Sequence, residues 1–189
     1  MAPKIIRLIA ETYEECMPDP SISLPATIHT MALAYTEICA GEDPWTALGN
    51  FTNAWYSHAK HIRSDLVREP LVKPEQETER LRRWSAFCAA STEFLCDRYG
   101  ILCPEWVYDP HYILPSPWSG SDTFPELTQD RMGTAQPPFV KRNIFCGSRL
   151  FQNKYEMFEW TQEARAKGIT DPREISRYAR RKEIAIHGG

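Results

Sequence analysis

The run from Pro74 to Trp106 constrains the fold of this chain more than any other stretch. It reads as one long helix that ends in the turn Gly100-Ile101-Leu102-Cys103-Pro104-Glu105-Trp106. Its middle, Ala86, Phe87, Cys88, Ala89 and Ala90, is apolar on nearly every side. A helix of that kind must be surrounded by other helices, because no face is left for water. Glu75, Glu77 and Glu79 precede Arg80, Arg82 and Arg83, so acidic side chains sit near the positive end of the helix dipole. The expected fold is mostly α, a single-domain helical bundle.

Candidate neighbours for the central helix lie on both sides of it. Residues 3–16 carry a stripe of Ile5, Ile6, Leu8, Ile9, Tyr13 and Cys16, ended by Met17-Pro18-Asp19-Pro20. Ser23-Leu24-Pro25 has the form of an N-cap with proline in the first turn and opens a helix to about Ala40, closed by Gly41. Asp43-Pro44 is a second such start, and from it Trp45, Leu48, Phe51, Trp55, Ala59, Ile62 and Leu66 recur at steps of three and four. That pattern predicts one amphipathic helix stopped by Glu69-Pro70. Further on, Leu150, Phe151, Tyr155, Phe158 and Ala164 mark the apolar side of a helix over Ser148 to Lys167, with Gly168 as its stop. Asp171-Pro172-Arg173-Glu174 has capping-box spacing and starts a last helix to about Ile186.

Between these helices the sequence changes character. Residues 101–125 hold Pro104, Pro110, Pro115, Pro117 and Pro125, with Trp106, Tyr108, Tyr112 and Trp118 between them. A solvated linker does not carry so many rings, so the segment is expected to be ordered, irregular and packed across the bundle. A short helix over 125–135 and an extended piece around Lys141 to Gly147 complete it. The expected organisation is a helical core over 1–168, including the Pro/aromatic segment 101–147, and a short basic helix and tail over 169–189.

The chain has 189 residues, enough for one sizeable core, and a net charge of -3, which argues against a protein devoted to coating nucleic acid. The N-terminus lacks the apolar run and cleavage site of a signal peptide, and no stretch approaches the roughly 18 apolar residues of a membrane span. A cytoplasmic setting is expected, with the six cysteines reduced and used as small core hydrophobes.

Few side-chain groupings point to a reaction. His58, His61 and Asp65 fall at i, i+3 and i+7 on the predicted helix, a spacing that lets the two imidazoles share a metal, but no third ligand is fixed locally. Cys88, Cys96 and Cys103 are spaced too widely for a zinc pair. Asp109-Pro110-His111 sets a carboxylate and an imidazole in a rigid loop, a conceivable acid–base pair, though such residues commonly serve turns. A Gly-rich phosphate loop, a G-x-S-x-G elbow and an H-E-x-x-H pair are all missing from the sequence. The reading is therefore of a protein that is not an enzyme and needs no cofactor or metal.

Basic residues cluster at Lys141-Arg142 and in the last helix. Arg173, Arg177, Arg180 and Arg181 follow helical spacing and form one patch able to grip phosphates or an acidic partner, or simply a solvated face. From Glu163 to Glu183 seven basic residues face four acidic ones, a local charge of +3.

Several separated stretches carry a resemblance. They are Ala40 to Phe51 (AGEDPWTALGNF), Trp84 to Ser91 (WSAFCAAS), Cys103 to Trp106 (CPEW), Leu114 to Trp118 (LPSPW) and Phe139 to Phe145 (FVKRNIF). Together they resemble a poorly characterised bacterial helical family, found alone or behind a helix-turn-helix module and encoded beside nucleotidyltransferase-like toxins. The resemblance spans roughly residues 36–155. It implies an antitoxin whose partner is a cognate toxin, neutralised by direct binding, and it brings no catalytic residues with it. The chain has no evident helix-turn-helix ahead of the shared part. Trp106, Tyr112, Trp118, Lys141, Arg142, Asn143 and Phe145 are the candidate partner-binding residues, since aromatics and Arg concentrate binding energy at interfaces. The alternative for Trp106, Trp118 and Phe145 is that they seal the core. A nucleic-acid-binding regulator acting through Arg173, Arg177, Arg180 and Arg181, and a metal- or His/Asp-dependent enzyme, stay open as other classes.

Overall fold

A computed structural model describes residues 28–124, 126–147, 151 and 154–187. The helix expected over 3–16 and the opening of the one from Ser23 lie outside the described residues. The elements in order are α1 (Met31–Cys39), α2 (Pro44–Tyr56), a 3-10 turn (Lys60–Ile62), α3 (Arg63–Leu66), α4 (Glu79–Tyr99), two 3-10 turns (Glu105–Tyr108 and Pro110–Tyr112), α5 (Gln129–Thr134), α6 (Pro137–Val140), α7 (Lys154–Ala166) and α8 (Pro172–His187). The fold is all-α.

The central helix is α4, and its middle is buried all round as its composition requires: Trp84, Phe87, Cys88, Leu95 and Cys96 are almost wholly shielded. α1 packs against both α2 and α4, and the irregular segment and α6 cover other sides of α4. Gly100 ends the helix in the left-handed conformation, with φ of 62°, and the Ile101 N–H donates back to the Cys96 carbonyl at 2.9 Å. The start differs from the sequence expectation. Thr78, not Pro74, caps the helix, its hydroxyl accepting from the Leu81 N–H at 3.2 Å. Residues 74–77 are thereby released from the helix, and Glu77 becomes a loop residue.

The helix predicted from Pro44 to Leu66 is also divided. Asp43 caps α2 as expected, accepting from the Trp45 and Thr46 N–H groups at 3.0 Å each. At Ser57 the backbone leaves the helical region, and its hydroxyl donates to the Asn53 carbonyl. The Arg63 side chain then closes the break: Nε donates to the Trp55 carbonyl at 3.0 Å while the guanidinium lies 4.1 Å from the centre of the Tyr99 ring. Ala59 and Leu66 stay buried, so the apolar spacing survives although the helix does not.

The Pro/aromatic segment is ordered through its rings and one backbone bridge. Trp118 and Ile144 form an isolated parallel bridge, the Trp118 N–H donating to the Asn143 carbonyl and the Phe145 N–H to the Trp118 carbonyl, both at 2.8 Å. Trp118 meets Trp84 edge-on at 5.1 Å between centroids. The extended piece expected around Lys141 to Gly147 is confined to this bridge, because Pro137 to Val140 form the single turn of α6 just before it.

α7 and α8 pack as a helical hairpin. The buried residues of α7 are Trp160 and Ala164, whereas Tyr155 and Phe158, expected on its apolar side, are exposed. The inward face is chosen by Ile175 and Ala179, the buried positions of α8. Polar contacts join the hairpin to the rest: Lys60 pairs with Glu159 at 2.6 Å, the Tyr99 hydroxyl donates to Glu156 at 2.8 Å, and Arg98 lies 3.8 Å from Glu183.

Candidate functional site

The residues singled out for partner contact divide between surface and interior. Lys141 is exposed; Trp106, Asn143 and Phe145 are half-buried; Tyr112, Trp118 and Arg142 are buried. Trp106 donates through Nε1 to the Val67 carbonyl at 2.9 Å and meets Tyr112 edge-on. Trp118 donates through Nε1 to the Ser121 carbonyl at 3.2 Å. Asn143, held at φ of 61°, donates through Nδ2 to the Leu114 carbonyl at 2.6 Å. A partner arriving at the surface does not meet Tyr112, Trp118 or Arg142 directly. Their hydrogen-bonding or packing capacity is already used inside the chain.

Arg142 is the knot under this region. Only 2% exposed, its guanidinium donates to Glu93 at 2.6 Å and to the carbonyls of Pro138 and Val107 at 2.7 Å each. Three elements are tied by one side chain: α4, α6 and the 3-10 turn of Glu105–Tyr108. The fork geometry of Arg suits this, since several donors point in fixed directions from one plane. Glu93 also pairs with Lys141, whose ammonium lies 5.2 Å from the centre of the Tyr108 ring.

The segments tied by the knot also carry exposed apolar side chains. Leu102 is 92% exposed and Tyr108 is 54% exposed, and Val140 next to Lys141 also faces solvent. Tyr108 lies against Lys141, the residue after Val140, and against the Cys103 thiol, the residue after Leu102. Cys103 accepts hydrogen bonds from the Cys96 thiol and the Tyr108 hydroxyl, which bring its pKa down to about 7 against the opposing effect of burial. The Cys96 thiol, donating to Cys103 and shielded from solvent, is pushed up.

No family model, curated protein or solved structure matches the chain.

The groups weighed for catalysis are placed differently from their sequence pairing. Asp109 does not hold the His111 ring; its carboxylate accepts the His111 backbone N–H at 2.9 Å as a local cap. The ring instead meets Glu77, Nε2 to Oε1 at 2.8 Å, an arrangement possible because α4 begins after Glu77. Sequence separation hid this contact; the capping threonine at position 78 was the available signal. Glu77 and His111 face a half-open cavity of about 400 Å³ also lined by Tyr35, Lys73, Ser85 and Tyr112. His58 and His61 no longer share a helix face: His58 bonds the Ser57 hydroxyl at 2.9 Å, His61 lies in a 3-10 turn, and Asp65 pairs with Arg68. Among the described residues no three His, Cys, Asp or Glu side chains group as metal ligands. Cys39, Cys88, Cys96, Cys103 and Cys146 are free thiols. No helix of the described residues is long and apolar enough to cross a membrane.

On α8, Arg173, Arg177, Arg180 and Arg181 are all exposed. Asp171 caps the helix through the Arg173 and Glu174 N–H groups at 2.8 and 3.0 Å.

Proposed function

We propose that this chain is a protein-binding module of the antitoxin kind, which neutralises a cognate toxin in a bacterial toxin–antitoxin or defence locus by direct binding. The observation that carries the reading is the exposed set Leu102, Tyr108 and Val140 beside Lys141, held on a base that Arg142 makes rigid. Apolar and aromatic side chains left in water on a stiff frame are what a protein interface uses at its centre, because they lose little conformational entropy on binding. The partner-binding role then falls on Lys141 with Tyr108 and Leu102, and the buried Arg142, Tyr112 and Trp118 position them. The resemblance of five separated stretches to proteins encoded beside nucleotidyltransferase-like toxins supports the choice of partner. Free thiols on a chain of this kind suit the cytoplasm.

Co-expression with the genomic neighbour, size-exclusion chromatography and a growth assay test the reading. A stable complex and relief of toxicity are expected, with both lost in Leu102→Asp/Tyr108→Asp. Complex formation unchanged by that pair moves the interface elsewhere, and absence of both complex and toxicity ends the antitoxin reading.

One observation favours a second class. Glu77 orients the His111 imidazole at the edge of a cavity large enough for a small ligand, the geometry of an acid–base pair. If toxicity is relieved without a complex, and His111→Ala abolishes the relief, the chain acts as an enzyme.

A further inference from the structure

The outward face of α8 carries a row of arginines of which only Arg180 is ion-paired among the described residues. With about 100° between successive residues, Arg173, Arg177, Arg180, Arg181 and Ile184 fall within an arc of roughly 100°. Ile175 and Ala179, the buried positions, lie on the opposite side against α7. The row therefore points straight away from the body of the protein. Arg180 is paired with Glu183, and Lys182, outside the row, with Glu163. No carboxylate among the described residues lies within ion-pair distance of Arg173, Arg177 or Arg181.

We infer that this arginine face of α8 binds the phosphate backbone of nucleic acid, without reading its sequence. Eight residues separate Arg173 from Arg181, about 12 Å of helix, a length over which duplex DNA presents about seven phosphates on its two strands. One strand offers three or four of them, enough for Arg173, Arg177 and Arg181, which have no carboxylate partner among the described residues; Arg181 Nε donates to the Arg177 carbonyl at 3.4 Å, which leaves its terminal nitrogens for phosphate. A protein partner fits the face poorly. It has no apolar centre to bury, only Ile184 at its end, whereas a polyanion is bound by charge and counterion release alone. A membrane surface fits poorly too, because Ile175 and Ala179, on the apolar side of α8 that lipid would take, are already buried against α7, which leaves Ile186 as the large apolar residue exposed there. Binding of this kind is weak and nonspecific, which agrees with a whole-chain charge of -3. The inference is independent of the toxin-binding reading, since the arginine face and the Leu102 and Tyr108 surface share no residue.

The test is fluorescence anisotropy of the full chain with fluorescein-labelled mixed-sequence 20-mers, as duplex DNA, single-stranded DNA and single-stranded RNA, in a salt series from 50 to 200 mM. With about three phosphates neutralised, log Kd is expected to rise with log salt at a slope of about 2.1 for single strands and about 2.7 for duplex, roughly a 20- to 40-fold weakening across the series. Arg177→Glu/Arg181→Glu is expected to weaken binding at least tenfold, and Arg177→Gln/Arg181→Gln by less, with circular dichroism confirming that α8 remains. Arg68→Glu, a charge reversal elsewhere, is expected to bind as the parent does. The three arms tell DNA from RNA and duplex from single strand. No anisotropy change at 50 mM salt with protein at about 10⁻⁴ M overturns the inference. So does binding that survives both arginine variants, or equal binding to poly-glutamate or to phosphatidylserine vesicles.

Discussion

Arg142 and Glu93 meet 2.6 Å apart in the interior, 49 positions apart in sequence, and both are shielded from solvent. The pair links the central helix to the segment that carries the exposed Tyr108 and Lys141. Removing Arg142 leaves the buried Glu93 with Lys141 as its one remaining cation and strips the donors from the Pro138 and Val107 carbonyls, together a loss of about 3–5 kcal/mol. Arg142→Ala should therefore lower the melting temperature by roughly 6–20 °C in a domain of this size. Arg142→Met/Glu93→Leu should recover much of that loss, because no buried charge remains and Lys141 keeps its access to water. A double variant no more stable than Arg142→Ala would show that the hydrogen bonds to Pro138 and Val107, not the ion pair, hold the region.

Gly120 makes a second, sharper prediction. Its φ is 71°, and a Cβ there would lie 3.0 Å from the Cβ of Cys146 and 3.4 Å from the Phe87 ring. Gly120→Ala should cost about 2–4 kcal/mol, from the left-handed backbone and from crowding together. Gly168 has φ of 81° but nothing within 4 Å of the same point, so Gly168→Ala should cost only about 1–2 kcal/mol. Urea denaturation of the two variants separates them; equal midpoints would mean that the Trp118 bridge region yields without penalty.

What was legible in the sequence depended on whether the signal was local. Asp43-Pro44, Gly100 and Asp171-Pro172 each mark a helix end within one or two residues, and the structure uses all three. The buried middle of α4 followed from Ala86 to Ala90 for the same reason. The break at Ser57 was hidden because Ala59, Ile62 and Leu66 keep helical spacing through the turn; the deciding contact, Arg63 on the Trp55 carbonyl and the Tyr99 ring, spans distant residues. Arg142 was singled out for partner binding because Arg is common at interfaces. Its burial depends on Glu93, a residue that helical periodicity gave no cause to pair with it. Phe158, expected on the apolar side, is exposed while Trp160 is buried, because the face of α7 is chosen by α8, which no pattern within α7 records.

Glu163 gives the hairpin its own acid limit. Hydrogen bonds from Lys167, Tyr178 and Lys182 hold its pKa down to about 2, below the ordinary carboxylate value near 4.3. A depressed carboxylate stabilises the fold above its unfolded pKa, and the contribution is lost as pH falls through the folded value. The contacts between α7 and α8 should thus be intact above about pH 4 and weaken from there toward pH 2. Protection factors of the Ile175 and Ala179 amides, after correction for intrinsic rates that themselves fall with pH, should drop over that window in the parent and change less in Glu163→Gln. Protection equally sensitive to acid in the variant would assign the effect to another carboxylate.

Cys103 offers a chemical readout of the Leu102 and Tyr108 surface. The hydrogen bonds from Cys96 and Tyr108 hold the Cys103 thiol below the ordinary value near 8.5, so more of it is thiolate near neutral pH than in an ordinary cysteine. Cys88, Cys96 and Cys146 are buried with their pKa values pushed up, and Cys39 is raised as well. Iodoacetamide at pH 7 should accordingly label Cys103 well ahead of those four, with a rate that climbs between about pH 6 and 8 and then levels. Tyr108→Phe removes one of the two donors that stabilise the thiolate, so the Cys103 profile, read site by site by peptide mass spectrometry, should move to higher pH. Because Tyr108 bonds Cys103 and stands at the proposed interface, a bound toxin should protect the thiol. Rapid labelling in the isolated chain that persists unchanged in a purified complex would place the toxin on another face, even with every pH prediction met.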